Sequence, residues 1–253
     1  MRMRKKILSI AAALCIAGCM VCIPDYSEAD AASGYVVENL DRGISAISTG
    51  SGMMVSWRFL ADDSDNSIFK LYRNNALIYT SNAGNATCYL DKDGKSTDTY
   101  KVETVESATV VSSDTCAMQS GSNYLEVKLD VPKAQTSGIT YSPNDCTVGD
   151  VDGDGQYELF VKWDPSNSKD NSQKGKTDKV FIDCYKIDGT KLWRIDLGVN
   201  IRAGAHYTQM LVADYDLDGL AEMVCKTADG TVDGVGNVIG DSSKDYRNSN
   251  GYI

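Results

Sequence analysis

The chain has 253 residues, 24% of them charged, and a formal net charge of −10 at neutral pH. That acidity excludes electrostatic capture of nucleic acid, whose phosphates need a basic surface. One histidine and scattered cysteines give no zinc pattern.

In chain order, residues 1–31 read as an export signal. Arg2, Arg4, Lys5 and Lys6 form a basic end, and Ile7 to Gly18 an apolar stretch short for a bilayer span. Ala29-Asp-Ala31 offers a small-residue cleavage site, so free secretion is expected. The competing reading takes Ile16-Ala-Gly-Cys19 as a lipoprotein box with Cys19 acylated. No later segment is apolar enough to cross a membrane. Cys88, Cys116, Cys146, Cys184 and Cys225 remain after the signal and read as small hydrophobes; Cys88 with Cys116 is the pair worth testing.

Residues 34–122 read as a small β-sandwich. Strands are expected at Met53–Arg58, at Phe69–Arg73 before the turn Asn74-Asn75, at Thr87–Leu90 before Asp91-Lys-Asp-Gly94, and at Asp98–Val105. The order Trp57, Tyr72, Tyr100 resembles a fibronectin type III module. A Ser-rich stretch, Val110 to Ser122, reads as the boundary to the second region, 123–253.

That second region carries an acidic run twice. Asp150-Val-Asp152-Gly-Asp154-Gly-Gln156-Tyr-Glu158 returns 64 residues later as Asp214-Tyr-Asp216-Leu-Asp218-Gly-Leu220-Ala-Glu222. Carboxylates at positions 1, 3, 5 and 9 can converge on one hard cation, and position 7 can add its backbone carbonyl. Gln156 and Leu220 fill that position, and Gly155 and Gly219 let the chain turn. Calcium is the expected ion. An EF-hand is excluded, because position 12 is Val161 or Cys225 rather than a bidentate Glu. Strand-like Leu159–Trp163 and Met223–Thr227 follow the two loops, and Ile182–Ile195 reads as a hairpin around Asp188-Gly189. Strands punctuated by calcium loops fit the opening blades of a β-propeller. Two blades do not close a ring, so the chain is expected to be the N-terminal portion of a longer, all-β protein.

Several motifs then carry a specific resemblance. They are Tyr141-Ser-Pro-Asn144-Asp145, the Val148–Gly155 run, Lys162-Trp-Asp164-Pro-Ser-Asn167-Ser-Lys-Asp170-Asn171, Leu192-Trp-Arg, Ile201-Arg202-Ala-Gly-Ala-His206-Tyr-Thr-Gln209 and Lys226-Thr-Ala-Asp229-Gly-Thr, with Glu38–Gly43 and Val55–Arg58 in the first region. With these the chain resembles the family-11 polysaccharide lyases, the rhamnogalacturonan endolyases. The resemblance implies an eight-bladed calcium-binding propeller behind an N-terminal β-domain, truncated here, with its cleft at the propeller centre. It implies β-elimination on rhamnogalacturonan I of pectin: a base takes the C5 proton of galacturonate and the 4-oxygen leaves.

The resemblance matches Asn144 and Asp164 to residues that hold sugar, and adds Asp145 and Asn167 as calcium oxygens. It puts the catalytic calcium and base on later blades, leaving Arg202, for a uronate carboxylate, and His206 as catalytic candidates here. A monomer is expected. The alternative is a non-catalytic carbohydrate-binding or adhesion protein built on the same calcium-stabilised blades.

Overall fold

The computed structural model describes residues 39–170, 172–204 and 207–251, all within one unit. The proposed export signal, Cys19 and His206 lie outside the described residues. Among those described there is no helix; the chain is all-β.

Eight strands build the first region: β1 (Ser45–Ser48), β2 (Met53–Ser56), β3 (Ile68–Arg73), β4 (Ala76–Thr80), β5 (Cys88–Asp91), β6 (Tyr100–Glu106), β7 (Thr109–Thr115) and β8 (Met118–Ser120). They form two four-stranded sheets, ordered β5-β2-β1-β8 and β4-β3-β6-β7. Alternation places Ala46, Met53, Val55 and Trp57 from one sheet against Phe69, Leu71, Tyr100 and Val102 from the other in a single core. The β3–β4 hairpin turns on Asn74 and Asn75 at φ 48° and 67°, the left-handed pair that a two-residue hairpin requires.

The Ser-rich stretch read as a boundary is instead strand. β7 pairs with β6 around Ser107-Ala108, again both at positive φ, and β8 runs parallel to β1. Neither turn residue is Gly or Asn, and β7 is a mostly exposed edge, so the usual signals are missing. Asp91, read as a turn residue, is buried; it accepts from Arg73 at 2.7 Å and from the Tyr100 hydroxyl at 2.9 Å, tying the two sheets together.

In the second region β9 (Tyr141–Gly149), β10 (Glu158–Pro165), β11 (Phe181–Tyr185) and β12 (Lys191–Asp196) lie side by side in chain order, all antiparallel. Short β15 (Thr231–Val232) and β16 (Val238–Ile239) extend the β12 edge, and β13 (Met210–Ala213) with β14 (Glu222–Cys225) makes a separate hairpin. Apolar clusters flank the large sheet: Tyr141, Val161, Trp163 and Tyr185 form one, and Val180, Ile182, Leu197 and Ile201 another. Within the sheet Asp183 is fully buried yet satisfied, accepting from the Trp163 indole, the Tyr185 hydroxyl and the Arg194 guanidinium at 2.6–2.8 Å. A buried carboxylate persists only with such partners.

The five cysteines among the described residues are free thiols. Burial pushes the Cys184 thiol up to about 12 and that of Cys116 to about 11, so neither is a ready thiolate.

Candidate metal and substrate site

Both acidic runs are hairpin loops, joining β9 to β10 and β13 to β14, and they share one hydrogen-bond plan. The position-2 N–H (Val151, Tyr215) donates to the position-9 carboxylate (Glu158, Glu222) at 2.9 and 2.8 Å. The position-6 N–H (Gly155, Gly219) donates to Asp150 and Asp214 at 2.9 Å. The position-7 N–H (Gln156, Leu220) donates to Asp154 and Asp218, also at 2.9 Å. Positions 4 and 6 are left-handed in both: Gly153 and Gly155 at φ 75° and 85°, Leu217 and Gly219 at 65° and 95°. Leu217 holds the strained angle that a glycine holds in the other copy.

Carboxylate oxygens of Asp214, Asp216, Asp218 and Glu222 lie within 4.8 Å of one another, as do those of Asp150, Asp152 and Glu158. Oxygens on opposite sides of a calcium ion, each at ~2.4 Å, stand ~4.8 Å apart. The donor sets therefore fit a hard divalent cation, which would also cancel the repulsion of gathered carboxylates. In the first loop that repulsion acts on Glu158: burial raises its pKa above the ordinary glutamate range, the Val151 N–H opposes this, and Asp152 and Asp154 reinforce it.

The loops differ in their surroundings. Asp154 stands outside the first group, and Lys186 donates to it at 2.9 Å and to Asp152 at 2.5 Å. Asp150 and Glu158 are buried, whereas Asp216 and Asp218 are exposed. The first loop is also a joint: the Gly155 carbonyl accepts from the Asp41 N–H at 2.8 Å and from Arg58 at 3.1 Å, and Arg58 lies 4.3 Å over the Tyr157 ring. The two loops touch, since the Ala221 N–H donates to the Asp150 carbonyl at 2.6 Å.

The sugar-contact candidates lie at the other end of β9 and β10. There Cys146 pairs with Val161 and Pro143 with Trp163, so Asn144 and Asp145 together oppose Lys162. This is a β-bulge, a device that re-aims side chains. Asn144 is exposed and its side-chain carbonyl accepts from the Asp145 N–H at 2.9 Å. Asp164 is buried, and its Oδ1 has no hydrogen-bond partner. Burial raises the Asp164 pKa; Lys162 pulls it back and Asp145 pushes it further up. Lys162 is almost wholly buried, yet its ammonium pairs with Asp145 and points at the Tyr207 carbonyl 3.5 Å away. The bulge that brings Lys162 against Asp145 leaves no local signal in the sequence.

Two candidates have other surroundings than expected. Arg202 is buried, and its terminal nitrogens donate to the carbonyls of Asp170, Gln173, Gly175 and Gly251. It pins the long loop after β10, an arrangement that opposes the expected contact with a uronate. Asn167 exchanges hydrogen bonds with Asp178, at 3.2 Å to its carboxylate and 3.0 Å from its N–H, which engages the amide away from both acidic groups.

The chain is all-β, with two carboxylate loops that could hold a metal ion and a bulged, polar strand end beside them. Residues 124–253 match Rhamnogalacturonan lyase family 11, C-terminal domain, and residues 35–118 match the Rhamnogalacturonan I lyases beta-sheet domain. The chain belongs to rhamnogalacturonan lyase family 11. It is 51% identical over 221 residues to rhamnogalacturonan endolyase YesW of Bacillus subtilis (strain 168), and 48% identical over 221 residues to the exolyase YesX of the same organism. Each comparison covers 86% of this chain but 36% of the relative, so the chain spans about a third of their length. The crystal structure of exotype YesX superposes with a TM-score of 0.80 at 47% identity, covering 87% of this chain and 37% of that one. The Bacillus licheniformis rhamnogalacturonan lyase PL11 gives 0.78 at 47%, covering 87% and 38%.

Proposed function

We propose that this chain is the N-terminal part of an exported, calcium-dependent rhamnogalacturonan endolyase that cuts pectin's rhamnose–galacturonate backbone by β-elimination. The observation that carries it is the pair of carboxylate loops with one geometry in a chain half identical to rhamnogalacturonan lyases. Two sheets, ordered β5-β2-β1-β8 and β4-β3-β6-β7, around one core support a fibronectin-type module. A four-stranded antiparallel meander followed by a second hairpin supports the opening of a propeller.

In this reading Asp150, Asp152 and Glu158, and Asp214, Asp216, Asp218 and Glu222, hold calcium, with the Gln156 and Leu220 carbonyls as further donors. Bound calcium would fix the hairpins, and calcium at the reacting centre would neutralise the uronate carboxylate, lowering the cost of charge that develops when the C5 proton is removed. Asp164 accepts from sugar hydroxyls through its unpartnered oxygen, and exposed Asn144 offers its amide N–H. The base is assigned to a part of the protein beyond these residues. The basic-then-apolar start of the chain, residues 2–18, fits export to a target outside the cell, where pectic polysaccharide is found.

The test is absorbance of new C4–C5 double bonds when the full protein meets rhamnogalacturonan I with calcium. Rapid loss of viscosity alongside is expected for endo action; release of only short products would reassign it as an exolyase, the activity named for YesX. Binding of the polymer without any unsaturated product would favour a non-catalytic carbohydrate-binding protein and reject the lyase.

A further inference from the structure

We propose that Lys162 is a positioning residue, which pins Asp145 across the β9–β10 bulge and so holds Asn144 and Asp164 in the arrangement that meets the sugar. The inference rests on the lyase reading and goes beyond it by naming a residue that need not touch substrate.

Three observations carry it. The first is cost. The Lys162 side chain is 1% exposed, and burying an ammonium costs several kcal/mol. Its partner returns little stability, because the Asp145 side chain is 60% exposed and a carboxylate in water gains little from an ion pair. A methionine of similar length would fill the slot without that desolvation cost. A charge kept at such expense serves something besides the fold.

The second is geometry. Lys162 is the one residue facing two on β9, and those two are Asn144 and Asp145. Its ammonium therefore sets how far the bulge opens, and with it the direction of the adjacent Asn144. The same lysine draws on the Tyr207 carbonyl, linking the bulge to the segment before β13. The third is the orphan acceptor. Asp164 lies two residues along the same strand, 9% exposed, with one oxygen lacking any partner. A buried carboxylate oxygen left unpaired is costly, so it calls for a donor from a ligand, from water or from the protein beyond these residues.

Lys162→Met separates the roles. A lysine that serves only the fold predicts unchanged kinetics on rhamnogalacturonan I with a lowered melting temperature. The positioning role predicts a melting temperature kept or raised and a KM raised about tenfold or more, with kcat changed less. Asp145→Asn, altered on the exposed side and assayed at saturating calcium, is expected to raise KM alike, and the double variant to be no worse than the more impaired single variant. Wild-type KM in Lys162→Met overturns the proposal, as does additive loss in the double variant. Should Lys162→Met fail to fold, wild-type KM in Asp145→Asn overturns it alone. A wild-type protein without lyase activity would instead sink the functional reading, a separate result.

Discussion

The two acidic loops share a nine-residue pattern, a hydrogen-bond plan and a pair of left-handed positions, yet they are not equivalent. The first buries Asp150 and Glu158, is backed by Lys186 and is docked through Gly155 on the Asp41 backbone and the Arg58 side chain. The second is half exposed, and its four carboxylates gather with no lysine bridged to them among the described residues. The same local chemistry therefore has two settings: the first loop joins the two regions as well as offering oxygens, and the second meets the chain through the first, by the Ala221 N–H on the Asp150 carbonyl. Repetition in sequence predicts the local shape and not the load placed on it.

The glycines at position 6 give the largest expected effect. Both sit at positive φ, where any other L-residue costs ~1–2 kcal/mol. At Gly155 an added Cβ would also lie 2.9 Å from the Asp41 nitrogen, whereas at Gly219 it meets open space. Gly155→Ala is expected to lose more than about 2 kcal/mol in urea unfolding and Gly219→Ala about 1 kcal/mol. Equal losses would show that the docking at Gly155 carries no weight.

Lys186 gives the next effect. Its ammonium has to leave Asp152 and Asp154 before a cation can use them, so Lys186→Met is expected to tighten calcium at the first loop by roughly three- to tenfold while leaving the second unchanged. Terbium luminescence or calorimetry resolves the two classes of site. Weaker binding would mean that the lysine orders the loop for the ion.

The smallest effect is a pH dependence. Glu158 has a folded pKa above its unfolded value, so ionising it costs folded stability that is absent below the ordinary glutamate range and complete above the raised value. In chelator, Glu158→Gln is expected to melt higher than wild type at neutral pH, with the gap closing as pH falls through that window. Saturating calcium should reverse the order, because the carboxylate then has its cation. A gap that stays constant with pH would remove the electrostatic account of this loop.

Much of this was legible in the residues. Alternating strands around Met53, Phe69 and Tyr100, the Asn74-Asn75 hairpin and the two carboxylate loops follow from local rules, because period-2 burial and turn chemistry act within a few residues. β7 and β8 were not legible: their turn lacks Gly or Asn, and a polar edge strand looks like a linker. The surroundings of Arg202 were not legible either. A guanidinium in a polar motif suggests an anion, and only the folded loop shows it satisfying four backbone carbonyls.

The sequence by itself determined the all-β class, the family, and the convergence of Asp150, Asp152 and Glu158 and of Asp214, Asp216, Asp218 and Glu222, since each cluster is built by one short loop. Tertiary structure decided what meets what across distance: Lys186 against the first loop, Gly155 against Asp41, and Lys162 between Asp145 and the Tyr207 carbonyl. Those contacts join residues 17 to 114 positions apart. No local propensity encodes them, because the chain must first close those separations, and the sheets that close them are held by burial summed over whole strands.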